Sequence, residues 1–441
     1  MLALGVTSSV AILAQVIFLQ PLLAQCVSVN FTFTAKPMSS ATRTQSLLYS
    51  SCQRFASTSL TAAPPGLQRQ LSLESLCRRT QRLVKLQGSL LWPKTTCFEA
   101  FGQQHALPVR TNGGDLCTET SQEELEYLAG FFDGDGCVRL SRTLCGSTIS
   151  VNQTSTNCEV LVRFRRAFGG GIYVEKHGRG SRKPILQWAA CGIAARRAAS
   201  MLMQLSLVKQ EQLLLAAAWP KCPLERAFAG KRMSQLKRND HVVNLPCSWA
   251  YFDGFFDAEG CIQVPHHCAN IRLEVAQVQG GVLLELRRFL ASEFPGHNFP
   301  LYKSSSKHTL AVTKTSTSRL VLERLLVGLI SYKRIQAEIA ITLTKSNHHE
   351  IREKLMLLVG NQSRYQRLDE AGCIRALHIV SVRQSLLRRV ACGAEAAPDA
   401  KLRLQQLQTE HEALNAFAKY RMLRSDIRSL LGRGAYIEKQ V

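Results

Sequence analysis

Tyr127-Leu-Ala-Gly-Phe-Phe-Asp-Gly-Asp-Gly-Cys-Val138 returns as Tyr251-Phe-Asp-Gly-Phe-Phe-Asp-Ala-Glu-Gly-Cys-Ile262, a shift of 124 positions (127 to 251). The same shift relates Gln153 to Gln277, Lys209 to Lys333 and Gln212 to Gln336. Unrelated stretches do not hold an acid, a glutamine and a lysine in one register, so the chain contains a duplicated domain. Each copy is about a hundred residues long, the size of a minimal αβ unit.

Working outward, Ser121 and Glu124 form a capping-box start, and apolar Leu125, Leu128, Phe131 and Phe132 predict a helix to about Asp133, ended by Gly136. Alternation predicts strands at Cys137 to Arg142 and Thr148 to Gln153, then a helix over 157–168. Gly169-Gly-Gly171 breaks the chain, two strands follow at Ile172 to Lys176 and Ile185 to Ala189, and a helix from about Ala194 to Ala218 closes the unit. Residues 121–218 thus read as αββαββα, and residues 248–345 repeat the order. Between them, residues 219–247 read as a linker rich in Pro, Lys and Arg. Residues 74–120 read as an irregular lead-in. Residues 346–441 read as a helical basic extension, with an amphipathic stretch from Asp399 to Arg433. The fold class is α+β.

Composition narrows the function. Of 441 residues, 46% are hydrophobic and 20% charged, which excludes a disordered chain and a membrane bundle. Lysine and arginine number 55 against 32 acids, and a net charge of +23 calls for a polyanion, most economically nucleic acid rather than a membrane. The 15 cysteines form no C-x-x-C pair, and Cys261, His266, His267 and Cys268 do not match a zinc spacing. Reduced, mostly buried thiols are expected. Residues 1–73 contain no Asp or Glu and are rich in Ser, Thr and Ala, with an apolar opening run too interrupted to span a membrane. This is the composition of a targeting leader, signal followed by transit, which directs a protein to an organelle, a plastid before a mitochondrion.

The repeated helix carries small residues one turn apart, Gly130 and Gly134 in the first copy and Gly254 and Ala258 in the second, so the two helices are expected to pack closely on each other. A pseudo-twofold pairing then sets Asp135 and Glu259 side by side at the helix C-termini. Two carboxylates there repel each other and the helix dipoles, and take up protons unless a cation neutralises them. Oxygen ligands select Mg²⁺ or Mn²⁺, a device suited to phosphodiester hydrolysis.

Leu128-Ala-Gly-Phe-Phe-Asp-Gly-Asp-Gly136 and Phe252-Asp-Gly-Phe-Phe-Asp-Ala-Glu-Gly260 resemble the two signature motifs of LAGLIDADG homing endonucleases in their single-chain, double-motif form. The resemblance covers roughly residues 121–345. It implies two pseudo-twofold-related halves with saddle-shaped antiparallel sheets. It further implies a monomer that cuts double-stranded DNA at a long recognition site, with Asp135 and Glu259 binding the metals and Gln153 and Gln277 placing the attacking water. Lys209 and Lys333 are similar to the family's basic residue near the scissile phosphate. The family fold also serves as an RNA-binding maturase for introns, the alternative reading. Phe252 and Asp253 depart from the family's Leu and Ala, and Asp133 and Asp257 read as structural acids. In the saddle, Arg139, Arg142, Lys176, Arg179, Arg182 and Lys183 of the first half are the expected DNA contacts, the last four within Lys176-His-Gly-Arg-Gly-Ser-Arg-Lys183. Lys303, Lys307, His308 and Lys314 are the expected counterparts in the second.

Overall fold

The computed structural model describes residues 73–110, 119–141, 146–238, 242, 246–358, 364–392 and 398–437. The leader expected over residues 1–73 lies outside them, save for Leu73, as does Arg142. No helix among the described residues is long and apolar enough to cross a membrane.

The lead-in over 74–120, expected to be irregular, holds a helix, Leu73–Ser89, then β1 (Leu90–Leu91) and a hairpin of β2 (Cys97–Ala100) and β3 (Gln103–Ala106). Leu76, Thr80, Leu83 and Gln87 share one face of that helix, and it packs on the helix Pro398–Gly432. The face was hard to see because its partner lies at the other end of the chain.

The first half runs from the helix Gln122–Asp135 through β4 (Gly136–Leu140), β5 (Ser147–Thr154), the helix Glu159–Phe168, β6 (Gly171–Lys176) and β7 (Ile185–Cys191). Its four strands form an antiparallel sheet in the order β4-β5-β7-β6. The second half repeats this with the helix Trp249–Glu259, β8 (Gly260–Gln263), β9 (Arg272–Gln277), the helix Gly281–Glu293, β10 (Leu301–Lys303) and β11 (His308–Val312), in the order β8-β9-β11-β10. Even the register repeats. Gly136 pairs with Val151 as Gly260 pairs with Val275, each residue displaced by the shift seen in the sequence.

Both motif helices start on a serine cap. Ser121 accepts from the Glu124 N–H at 3.2 Å and Ser248 from the Tyr251 N–H at 3.1 Å. Alternation then sorts each sheet: Ile149, Val151, Leu186, Trp188 and Ala190 face the core, where Trp188 packs against Phe164 and Phe168.

The expectation of mostly buried thiols fails, since of the eleven described cysteines only Cys158 and Cys373 are buried, and two further expectations need correction. The single helix over 194–218 is two, Gly192–Leu202 and Gln210–Ala217, because Asp133 captures the backbone N–H groups between them and turns the chain. The linker over 219–247 contains a helix, Pro223–Leu236, with proline in its first turn and Ala229, Met233 and Leu236 buried at i, i+4 and i+7. The C-terminal extension is helical, with Glu370–Ala391 and Pro398–Gly432 packed together before β12 (Tyr436–Ile437) pairs back onto β1.

Candidate active site

The two motif helices meet backbone to backbone. A methyl group added to Gly130 would lie 2.0 Å from the Tyr251 carbonyl oxygen, and one added to Gly254 would lie 1.9 Å from that of Tyr127. Gly134 faces Ala258 and Glu259, where an added methyl would come within 2.4 Å of the Ala258 Cβ and 3.1 Å of the Glu259 Cγ. Only this absence of side chains brings the last turns together and sets Glu259 against the end of the helix that carries Asp135.

The first motif acids hold the frame. Asp133 is buried and accepts from the backbone N–H groups of Leu207, Val208 and Lys209, the Ser206 hydroxyl and, across the seam, the Tyr251 hydroxyl at 2.7 Å. Asp257 mirrors it with Ser331, Tyr332 and Lys333 and accepts from the Tyr127 hydroxyl at 2.8 Å. Each half thus ties its own lysine-bearing turn to its motif helix and lends a tyrosine to the other half.

Those turns deliver the lysines. Lys209 Nζ donates to the carbonyl oxygens of Phe132, Asp133 and Gly134, and Lys333 Nζ to those of Phe256 and Asp257. The ammonium groups therefore cap the C-terminal carbonyls of the motif helices, where the dipole is negative. With three donors committed to carbonyls, Lys209 acts on charge in the cleft as a fixed positive field rather than as a free arm. Burial pulls both ammonium groups below their usual pKa, against the nearby acids Asp133, Asp135, Asp257 and Glu259.

At the mouth of this arrangement the Asp135 carboxyl titrates at about 6. The surrounding protein raises it most, then the Glu259 charge, while Lys333, Lys209 and a hydrogen bond from Gln153 pull it down. Gln153 Nε2 donates to Asp135 Oδ2 at 2.8 Å, whereas no such bond joins Gln277 to Glu259 among the described residues. The two acids form an anionic pair short of positive charge, and their hard oxygens suit Mg²⁺ or Mn²⁺. Among the described residues no group of three or more His, Cys, Asp or Glu is placed to hold a metal. Two carboxylates leave most of a coordination sphere for other oxygen ligands.

The expected groove residues divide. Lys176, Arg182, Lys303 and Lys307 are exposed on the hairpins β6–β7 and β10–β11. Arg139 is held by Glu175 at 3.6 Å, Lys183 donates to Thr156, Arg179 donates to the Gly88 carbonyl oxygen at 2.9 Å, and His308 bonds the Val278 carbonyl. Lys314 lies beyond the far end of β11, at the start of the helix Thr315–Val327, and not with the hairpin. The sequence reading missed the polar sheet positions Asn152, Gln187 and Arg272 and the exposed Tyr173 and Tyr302, which alternation along each strand sets opposite the core. It also missed Tyr332, which stands where the first half has Val208 and whose hydroxyl lies close enough to Asn157 and Asp135 of the other half to feel both, its pKa raised chiefly by burial.

The chain is similar to LAGLIDADG homing endonucleases of known structure. The LAGLIDADG meganuclease I-AabMI bound to uncleaved DNA matches at 17% identity and a TM-score of 0.40, over 52% of this chain and 98% of that one. The LAGLIDADG meganuclease I-CpaMI bound to uncleaved DNA matches at 13% identity and 0.38, over 53% and 97%. The I-LtrWI LAGLIDADG homing endonuclease bound to target DNA matches at 12% identity and 0.38, over 54% and 96%. No protein-family model matches the sequence, and neither does any curated protein.

Proposed function

We propose that this protein is a divalent-metal-dependent endonuclease that cuts both strands of duplex DNA at a specific site. The observation that carries the reading is the pairing of Asp135 and Glu259 at two helix ends that touch without intervening side chains, above two lysines buried on those same ends. Two carboxylates at such helix ends repel each other beyond what the buried lysines offset, and a divalent cation between them relieves that repulsion and attracts phosphate. Asp135 and Glu259 would hold Mg²⁺ or Mn²⁺, which when bound neutralises developing charge and makes water a better nucleophile. Gln153, bonded to Asp135, offers its remaining polar atoms to water, and Gln277 takes the water-placing role at the matching strand position of the second half, without a bond to Glu259 among the described residues. Lys209 and Lys333 fix the backbone under the acids and lower the cost of negative charge above them. The sheets supply exposed polar side chains and flanking bases of the kind that read base edges and grip phosphates. The acid-free leader fits delivery to an organelle.

The test uses protein lacking residues 1–72, a randomised duplex library and Mg²⁺, comparing wild type with Asp135→Asn/Glu259→Gln. Wild type is expected to leave defined double-strand ends, and the variant to bind the same DNA with cleavage reduced at least a thousandfold, about 4 kcal/mol of lost transition-state stabilisation. Tight binding to structured RNA with no DNA cleavage by either protein would replace this reading with the maturase one.

A further inference from the structure

Outside the cleft, the most distinctive feature is the layer built from both flanking segments of the chain. Its helix Leu73–Ser89 buries one face on Pro398–Gly432, and its opposite face carries Arg78, Arg79, Arg82 and Lys85, all exposed. The one acid on that helix, Glu74, lies 3.5 Å from Arg78, and both side chains are largely solvated. A basic helix face is most often simply a solvated face. Here its end is fixed to a candidate DNA contact.

The fixing is extensive. Gly180 N–H donates to the Leu90 carbonyl oxygen at 2.8 Å, Trp92 N–H to that of Gly178 at 3.0 Å, and Trp92 Nε1 to that of Gly180 at 2.9 Å. Arg179 Nε adds its bond to Gly88. Gly178 and Gly180 leave no room for a side chain: an added methyl would lie 2.4 Å from the Trp92 ring and 2.8 Å from the Gln87 carbonyl oxygen, and Gly180 has φ of +58°. The β6–β7 hairpin and the end of the basic helix are thus one rigid tract. From Lys85 to Arg78 the helix carries positive charge about 10 Å further, at 1.5 Å per residue.

We infer that this face is a second phosphate-binding surface, which continues the DNA groove past the first half and grips duplex flanking the cleaved site. The inference rests on the duplex-DNA reading above. Its occupant is chosen by charge complementarity and by continuity with the hairpin. It also makes the footprint asymmetric, since among the described residues no comparable layer is tied to the hairpin of the second half.

The test measures binding of a mixed-sequence 40-base-pair duplex, without divalent metal, as a function of salt. The proteins are wild type, a variant with Arg78, Arg79, Arg82 and Lys85 all changed to Gln, one with the three arginines changed to Lys, and the hairpin variant Lys176→Gln/Arg182→Gln. Each phosphate contact contributes about 0.9 to the slope of log affinity against log salt. The Gln set is expected to lose about 2 to 4 from the slope and tenfold or more in affinity near 0.1 M salt. The Lys set is expected to keep both, and cutting by the Gln set at saturating protein should match wild type. An unchanged slope in the Gln set, beside a reduced slope in the hairpin variant, overturns the inference and leaves the duplex reading standing. Failure of wild type to bind the duplex overturns both. Loss confined to an RNA hairpin probe overturns the choice of DNA as the occupant.

Discussion

Asp253 is the residue that sets the second half apart. The repeat puts alanine at the matching position, Ala129, whereas here a carboxylate is buried with Oδ2 accepting from the Leu329 N–H at 2.6 Å and Oδ1 without a partner. Burial, and more weakly Asp257, raises its pKa to about 7 against the pull of the Leu329 bond, Arg163 and Arg334. A carboxyl raised in the folded state stabilises the fold below its unfolded value near 4, and that stability is lost as pH climbs through 7. Asp253→Asn keeps the acceptor and removes the charge. It is expected to raise stability by about 2–4 kcal/mol at pH 8, with the gain shrinking toward zero by pH 4, in denaturant titrations at the two pH values. A constant gain at both would assign the effect to packing instead. From sequence alone Asp253 reads equally well as facing solvent or as disturbing the seam; its burial depends on the loop at Gly328–Leu329, which no local pattern reveals.

Elements tell a clearer story, because the seam depends on the smallest residues of the motif. Gly130→Ala and Gly254→Ala each push a methyl group into a carbonyl of the partner helix, and neither backbone can yield without parting the tyrosine–aspartate bonds that cross the seam. Each is expected to cost about 2–3 kcal/mol in thermal or denaturant unfolding, with DNA cutting lost further than stability as Asp135 and Glu259 separate. Ala258→Gly is the comparison, expected to cost about 1 kcal/mol through helix propensity together with the small loss of its methyl packing on Gly134, without forcing the helices apart. The close approach was legible from the spacing of Gly130, Gly134, Gly254 and Ala258, as were the four strands of the first sheet from their period of two and the order of the second from the repeated motif. The bend between Leu202 and Gln210 was not, since the acid that makes it, Asp133, is distant in sequence. Nor was the position of the Lys209 and Lys333 ammonium groups: a lysine at a helix start reads as exposed, and only the fold shows it turned back onto carbonyls.

Across the whole molecule, the two halves share one continuous core while the flanking segments build a smaller one around Leu90, Ile427, Leu430 and Ala435. Gln87, Tyr365, Arg364 and Asp426 extend that smaller core with a polar network, Tyr365 donating to Asp426 at 2.8 Å and accepting from Gln87 at 2.7 Å. Deleting residues 398–441 is expected to leave the two halves folded and to release the layer. Hydrogen exchange should then quicken at the Gly180 and Trp92 amides but not at Val151 or Val275, which sit within the sheets. Uniform loss of protection would mean that the layer is integral to the main core. The pairing of Leu90 with Ile437 also imposes an order of events during synthesis. Both halves can emerge and close on local contacts while the helix Leu73–Ser89 still lacks its partner, and the layer completes only when the helix Pro398–Gly432 and Ile437 arrive. A chain in which the helix Pro398–Gly432 has not yet docked would therefore carry two folded halves but a loose hairpin at Lys176–Lys183.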